Sequence, residues 1–284
     1  MSDDERVSPT VRLRKLARGL RRWRNESRLS LDELAPRLDW SKSKLGRFET
    51  GDGAPGPADV IAIATVLGIP DEERERYVAL AFQARQKGWW QRYGKGTLKE
   101  DFDEYVGLES EASHVREFTH QLIPGLLQTS RYATEIMRAS PGIDDVAERA
   151  DLRMQRQARL HEADPLRLST IIHEAALRNL VGGPEVMREQ LTLLIEMAKL
   201  DQVTVRALPF SAGAYPSMEA PFIILSFLEP EDPDVPFAEY LTGCVYIEDP
   251  DEIASYNLYY SALEEQALSP AESVELISKI AGEL

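Results

Sequence analysis

The chain has 284 residues, 43% of them hydrophobic, and a formal charge of −15 from 48 Asp and Glu against 33 Lys and Arg. This length favours two domains over one, the apolar fraction suffices for a sizeable core, and no apolar run is long enough to span a bilayer. The charge is uneven: residues 1–50 hold 13 Lys and Arg against 8 Asp and Glu, and the other 234 hold 20 against 40, a basic head on an acidic body that is the footprint of a small DNA-binding domain joined to something else. In chain order, a helix is predicted from near Pro9, with Leu13, Leu16, Leu20 and Trp23 on one face and Arg12, Arg14, Lys15, Arg18, Arg21, Arg22 and Arg24 on the others.

Residues 30–51 (SLDELAPRLDWSKSKLGRFETG) read as two short helices and a tight turn. Ser30 and Glu33 form an S-x-x-E capping box, after which Leu31, Leu34, Ala35 and Leu38 recur at the spacing of one buried helix face. Ser41 is a second N-cap, Leu45 and Phe48 give the next helix its apolar side, and Gly51 stands where a C-cap glycine belongs. Lys42, Ser43, Lys44 and Arg47 line the polar side of this second helix, and a short helix with outward basic and hydroxyl groups suits a DNA major groove. Helix pairs ending in glycine also occur in protein-binding and purely structural bundles.

These residues resemble the phage-repressor (XRE) class of helix-turn-helix domain, down to the F-E-x-G ending at Phe48, Glu49, Thr50 and Gly51. Two positions depart from the pattern. Asp39 stands where the family usually has a glycine with positive φ, and Pro36 lies inside the first helix of the pair, where it should distort a turn. The resemblance implies that Lys42, Ser43 and Arg47 face base edges and that Ser30, Ser41, Lys44, Arg21 and Arg22 position the DNA backbone. It also implies an ion pair between Arg24 and Glu49 that fixes the angle between helices. One such module offers few contacts, so a homodimer on two half-sites of double-stranded DNA is expected.

The loop GDGAPG, residues 51–56, has no cation, so any phosphate contact there falls to backbone N–H groups. Pro57 and Pro70 open two further helices, completing a five-helix, all-α repressor-like domain over residues 1–85. Residues 86–99 (QKGWWQRYGKGTLK) suit a linker whose aromatics dock on the second domain, or an aromatic and basic patch for stacking on bases. From residue 100 to 284 an α+β domain with a mostly antiparallel sheet is predicted. Its helices are expected at 103–113, 130–139, 144–161, 184–200, 250–267 and 270–281, and its strands at 166–172, 203–208, 220–227, 237–241 and 244–247.

The segments GWWQRYG, LESEASHVREFTHQLIPGLLQTSRYA, HEAALRN, VGGPEVMREQL, VTVRALPFSAGAYP and GCVYIEDPDEIASY resemble the C-terminal domain of WhiJ-type actinobacterial regulators. The resemblance implies a regulator with an antitoxin-like gene layout that works with a small acidic BldB-like partner protein.

Catalytic and metal signatures are absent from the sequence. His173-Glu174 lacks the second histidine of H-E-x-x-H, since Leu177 is there, and His114 and His120 have no third ligand in sight. No Walker A, G-x-G-x-x-G or G-x-S-x-G occurs, so no enzyme, metal or cofactor is expected. Ser211, Gly213 and Tyr215 form a candidate ligand loop, with a simple closing turn as the plainer reading. The single cysteine, Cys244, cannot form an intrachain disulfide and, with a polar N-terminus free of a secretory pattern, predicts a cytoplasmic protein without membrane attachment. The expectation is a sequence-specific DNA-binding transcriptional regulator whose acidic domain receives a signal or binds a small partner. Two alternatives stand beside it: an antitoxin-like interaction module that masks a small partner and autoregulates, and a small-molecule-sensing repressor with a pocket near Phe210, Tyr215 and Phe222.

Overall fold

A computed structural model describes residues 11–84, 102–142, 145–228 and 232–284. The chain divides into two compact units, one of Met1–Gln91 with Asp103–Leu108 and one of Arg92–Phe102 with Glu109–Leu284. The expected linker at 86–99 and the expected helix start at Pro9 lie outside the described residues.

The first unit holds α1 (Val11–Glu26), α2 (Leu31–Arg37), α3 (Lys42–Thr50), α4 (Pro57–Leu67) and α5 (Asp71–Ala84). Their apolar faces close on one core of Leu16, Leu20, Trp23, Leu34, Ala35, Leu45, Phe48, Val60, Ile63 and Tyr77. Helices this short are marginal alone, so burial of these faces rather than propensity holds them.

The ends of α1 and α2 are built alike. Leu29 N–H bonds the Arg24 carbonyl at 3.2 Å and Arg28 N–H that of Asn25 at 2.9 Å, while Trp40 N–H bonds Ala35 at 2.9 Å and Asp39 N–H bonds Pro36 at 3.2 Å. Both are six-to-one and five-to-two closures of Schellman type, which require a left-handed residue just past the C-cap. Arg28 and Asp39 supply it, each with φ 56°. A non-glycine residue there costs about 1–2 kcal/mol. Pro36 falls in the last turn of α2, which ends one residue later, so its missing donor truncates the helix.

α6 (Phe102–Glu111) is divided, with Asp103–Leu108 in the first unit and its ends in the second. The second unit carries β1 (His114–Thr119), α7 (Ser130–Ala139), α8 (Val146–Gln157), β2 (Arg167–His173), α9 (Glu174–Arg178), α10 (Pro184–Met197), β3 (Val203–Leu208), β4 (Phe222–Ser226), β5 (Val235–Tyr240), β6 (Gly243–Tyr246), α11 (Pro250–Gln266) and α12 (Pro270–Glu283). The six strands run in the order β3-β2-β1-β4-β5-β6. β4, β5 and β6, which answer to the expected strands at 220–227, 237–241 and 244–247, form an antiparallel meander. The expectation of a mostly antiparallel sheet fits in part: the pairings β1-β4, β4-β5 and β5-β6 are antiparallel, but β1 pairs β2 in parallel and β2 pairs β3 in parallel, so the sheet is mixed. β1 was not among the expected strands, yet it is the strand at which the direction changes, paired parallel to β2 and antiparallel to β4.

Alternation along β1 sorts its side chains between faces. Phe118 joins Ile171, Leu208, Phe222, Ile224, Tyr260 and Leu263 in the cluster beneath α11, and Tyr260 donates its hydroxyl to the Ser169 carbonyl at 3.0 Å. Val115 and Glu117 point to the other face. The irregular stretch between β1 and α7 is closed by amide side chains: Gln190 accepts from Thr129 N–H and donates to the Leu127 carbonyl, both at 2.7 Å. Buried backbone groups outside regular structure need such partners. The edge of β3 is covered by α12, whose Ser273 hydroxyl accepts from Ala207 N–H at 2.8 Å.

Candidate nucleic-acid interface

α3 is defined by its ends. The Ser41 hydroxyl accepts from Lys44 N–H at 3.1 Å, and Gly51 closes the helix with φ 81°. Between these caps Leu45, Phe48 and Glu49 are buried, and Lys42, Ser43 and Arg47 are exposed on the outer side. The spacing that buries every third or fourth residue leaves one polar stripe of hydroxyl and cationic groups.

The helix is fixed from beneath by Arg24, whose Nε and Nη2 donate to both Glu49 carboxylate oxygens at 2.7 Å. Arg24 Nη1 also donates to the Leu29 carbonyl at 2.8 Å. Side-chain exposures of 12% and 5% make this a largely desolvated pair. Its gain is orientation more than net stability, because desolvation offsets the attraction.

The other cations of α3 are not equivalent. Lys42 Nζ meets Asp32 at 2.8 Å in an exposed pair. Lys44 Nζ meets Asp59 at 2.8 Å and lies 3.8 Å from the centre of the Trp40 ring. Asp59 also accepts from Gly56 N–H at 2.9 Å, so Lys44 belongs to a bracket joining α3 to the start of α4. Arg47 makes no side-chain bond or ion pair among the described residues.

Ser30 completes its capping box: its hydroxyl accepts from Glu33 N–H at 3.3 Å and donates to the Glu33 carboxylate at 2.8 Å. Ser30 N–H donates to the same carboxylate at 2.8 Å, and this bond first, then the one from the hydroxyl, holds the Glu33 carboxyl below its usual range. Ser30 is thus occupied by its own helix. On α1, Arg21 is exposed, whereas Arg22 is engaged by Glu73, which also accepts from Trp23 Nε1 at 2.8 Å.

The loop after β3 belongs to the second unit. Ser211 and Gly213 face solvent. Tyr215 packs edge-on against Phe118 at 5.7 Å and lies 5.1 Å from His173, so its ring is part of the wall of the core. Burial raises its pKa. A cleft of about 480 Å³ lies elsewhere, between α7 and α8, lined by Ser130, Thr134, Arg138, Ala150, Asp151 and Met154. His114 bonds the Ser169 hydroxyl at 2.9 Å, and His173 Nδ1 accepts from Ala175 N–H at 3.2 Å. Among the described residues no three His, Cys, Asp or Glu side chains converge as for a metal ion, and no described helix is long and apolar enough to cross a membrane.

Sequence reasoning missed Arg28, an exposed cation two residues before Ser30. No glycine marks where α1 must turn, so the sequence does not single this residue out.

Searches of curated proteins and of solved structures return no match. Residues 15–77 match a family described as Helix-turn-helix domain, which points to a DNA-binding regulator. Residues 102–279, more than half of the chain, match the family described as Domain of unknown function (DUF5753), and the chain belongs to that family.

Proposed function

We propose that the protein is a sequence-specific transcriptional regulator of the XRE type, with α3 as the helix that enters the DNA major groove. The observation that carries this reading is the outer stripe of α3, where Ser43 and Arg47 stand exposed on a helix capped at both ends and held by the buried Arg24–Glu49 pair. In this reading Arg47 makes a bidentate contact with guanine, and Lys42 exchanges Asp32 for a base or a phosphate. Ser41 and Arg21 flank them on the backbone side. Lys44 contributes mainly by holding α3 on α4 through Asp59.

The second unit, whose acidic composition suits it poorly to phosphate, receives the signal. It does so by dimerising the chain on two half-sites or by binding a small partner, for which the WhiJ-like resemblance suggests an acidic BldB-like protein. This division of work belongs in a cytoplasm.

The test is Arg47→Ala on a duplex selected by the wild-type chain from a random pool. The variant should lose about 1–3 kcal/mol of affinity and relax its preference at one base pair. Unchanged affinity with an unchanged preference would remove Arg47 from the reading set.

A further inference from the structure

Among the described residues, three non-glycine residues have positive φ: Arg28, Asp39 and Ser217. At Asp39 the short polar side chain eases the left-handed region. Arg28 has no such relief, and glycine suits its position better. The bonds from Arg28 N–H to Asn25 and from Leu29 N–H to Arg24 hold it there, so the conformation is built into the end of α1.

The Arg28 side chain is exposed and makes no hydrogen bond or ion pair among the described residues. Its place in the domain is specific. The Lys42–Asp32 pair at 2.8 Å brings the first turns of α2 and α3 side by side, and Arg28 precedes the cap of α2 by two residues. In helix-turn-helix docking the start of the second helix meets base edges while the first helix crosses the sugar–phosphate backbone. Here the first turn of α2 carries Asp32 and Glu33, which oppose phosphate at that end. A cation beside it offsets that repulsion.

We infer that Arg28 is a DNA-backbone contact, kept at a conformationally strained position because its charge meets a phosphate. The inference rests on the DNA-binding reading above. A merely structural role is the alternative, since a cation also suits the C-terminal end of α1.

The experiment uses the full chain, with Arg28→Gly, Arg28→Gln, Arg28→Lys and Arg47→Ala, on a duplex selected from a random pool by the wild type. Affinity is measured across salt concentrations and thermal midpoints beside it. Arg28→Gly should melt at the wild-type temperature or above it. It should also bind roughly three- to tenfold more weakly, with a salt slope shallower by about one. Arg28→Gln, which keeps the strain but not the charge, should show the same slope, and Arg28→Lys the wild-type slope. Wild-type affinity and slope in Arg28→Gly and Arg28→Gln would overturn the inference, and a loss in Arg47→Ala in the same series would leave the DNA-binding reading standing. Weakened binding that tracks a lowered melting point in Arg28→Gly, without a change of slope in Arg28→Gln, would assign Arg28 the structural role instead. A wild-type chain that enriches no duplex would overturn both.

Discussion

Arg24 and Glu49 show what a single pair of residues does for this interface. Two bonds at 2.7 Å join them, and little water reaches either side chain. Glu49→Ala should cost the first unit about 3–5 kcal/mol, because it strands the guanidinium, while Arg24→Met with Glu49→Leu should recover most of that loss. Urea titration followed by tryptophan fluorescence reads both, and equal losses in the single and double variants would show that the pair is not the source. The pair and the left-handed turn at Asp39 were legible through the resemblance of residues 30–51 to the repressor class, whose F-E-x-G ending marks Glu49 and whose usual glycine marks position 39. Arg28 was not, since nothing in the R-N-E-S-R-L run marks which residue takes the positive φ.

At the scale of elements, the proposed function makes one contact between α2 and α3 a brake on DNA binding. Asp32 in the first turn of α2 occupies Lys42 of α3. An exposed pair of this kind is worth little to stability, so Asp32→Asn should leave the melting point nearly unchanged. It should raise affinity for duplex DNA roughly threefold or more, by freeing Lys42 and removing a charge that opposes phosphate. Binding assays at two salt concentrations check this, and unchanged or weakened affinity would place Lys42 away from the DNA. The caps, the short helices and the β4-β5-β6 meander could be read in advance because local spacing and turn residues specify them. β1 could not. Its sequence HVREFT sets two charged residues in a central strand, and their partners are remote: Arg116 meets Asp234 at 2.7 Å across 118 positions. Parallel pairing of β1 with β2, and of β2 with β3, likewise joins segments far apart in the chain, and no local periodicity announces it.

For the whole molecule, the division of charge and one buried carboxyl matter most. Glu117 of β1 stands among Glu109, Arg156, Arg153 and Glu239. Burial first, and then the Glu109 carboxylate, push its pKa up to about 8, against the pull of the two arginines. Arg153 is lowered to about 10 by the same burial and by Arg156. His114 moves the other way, to about 4, because burial and Arg116 disfavour its cation. Below pH 6.5 these groups oppose each other, since the unfolded chain takes a proton at His114 and gives one up at Glu117. Between pH 6.5 and 8 only the Glu117 proton differs, held in the folded state and lost in the unfolded one. Stability should therefore fall as pH rises through that window, by at most about 1.4 kcal/mol per unit. Glu117→Gln should flatten the fall. Urea midpoints at pH 6.5 and 8 test this, and a flat wild-type profile would mean that Glu117 titrates normally.

The central claim is that α3 reads DNA on behalf of an acidic second unit. Its most direct measurement is selection of duplexes from a random pool by the full chain, followed by affinities for the enriched and a scrambled duplex at one physiological salt concentration. The account predicts an enriched sequence with two related half-sites about one helical turn apart, bound at least about a thousandfold more tightly than the scrambled duplex. Equal affinity for both, or no enrichment at all, would contradict it and leave α3 as part of a structural or protein-binding bundle.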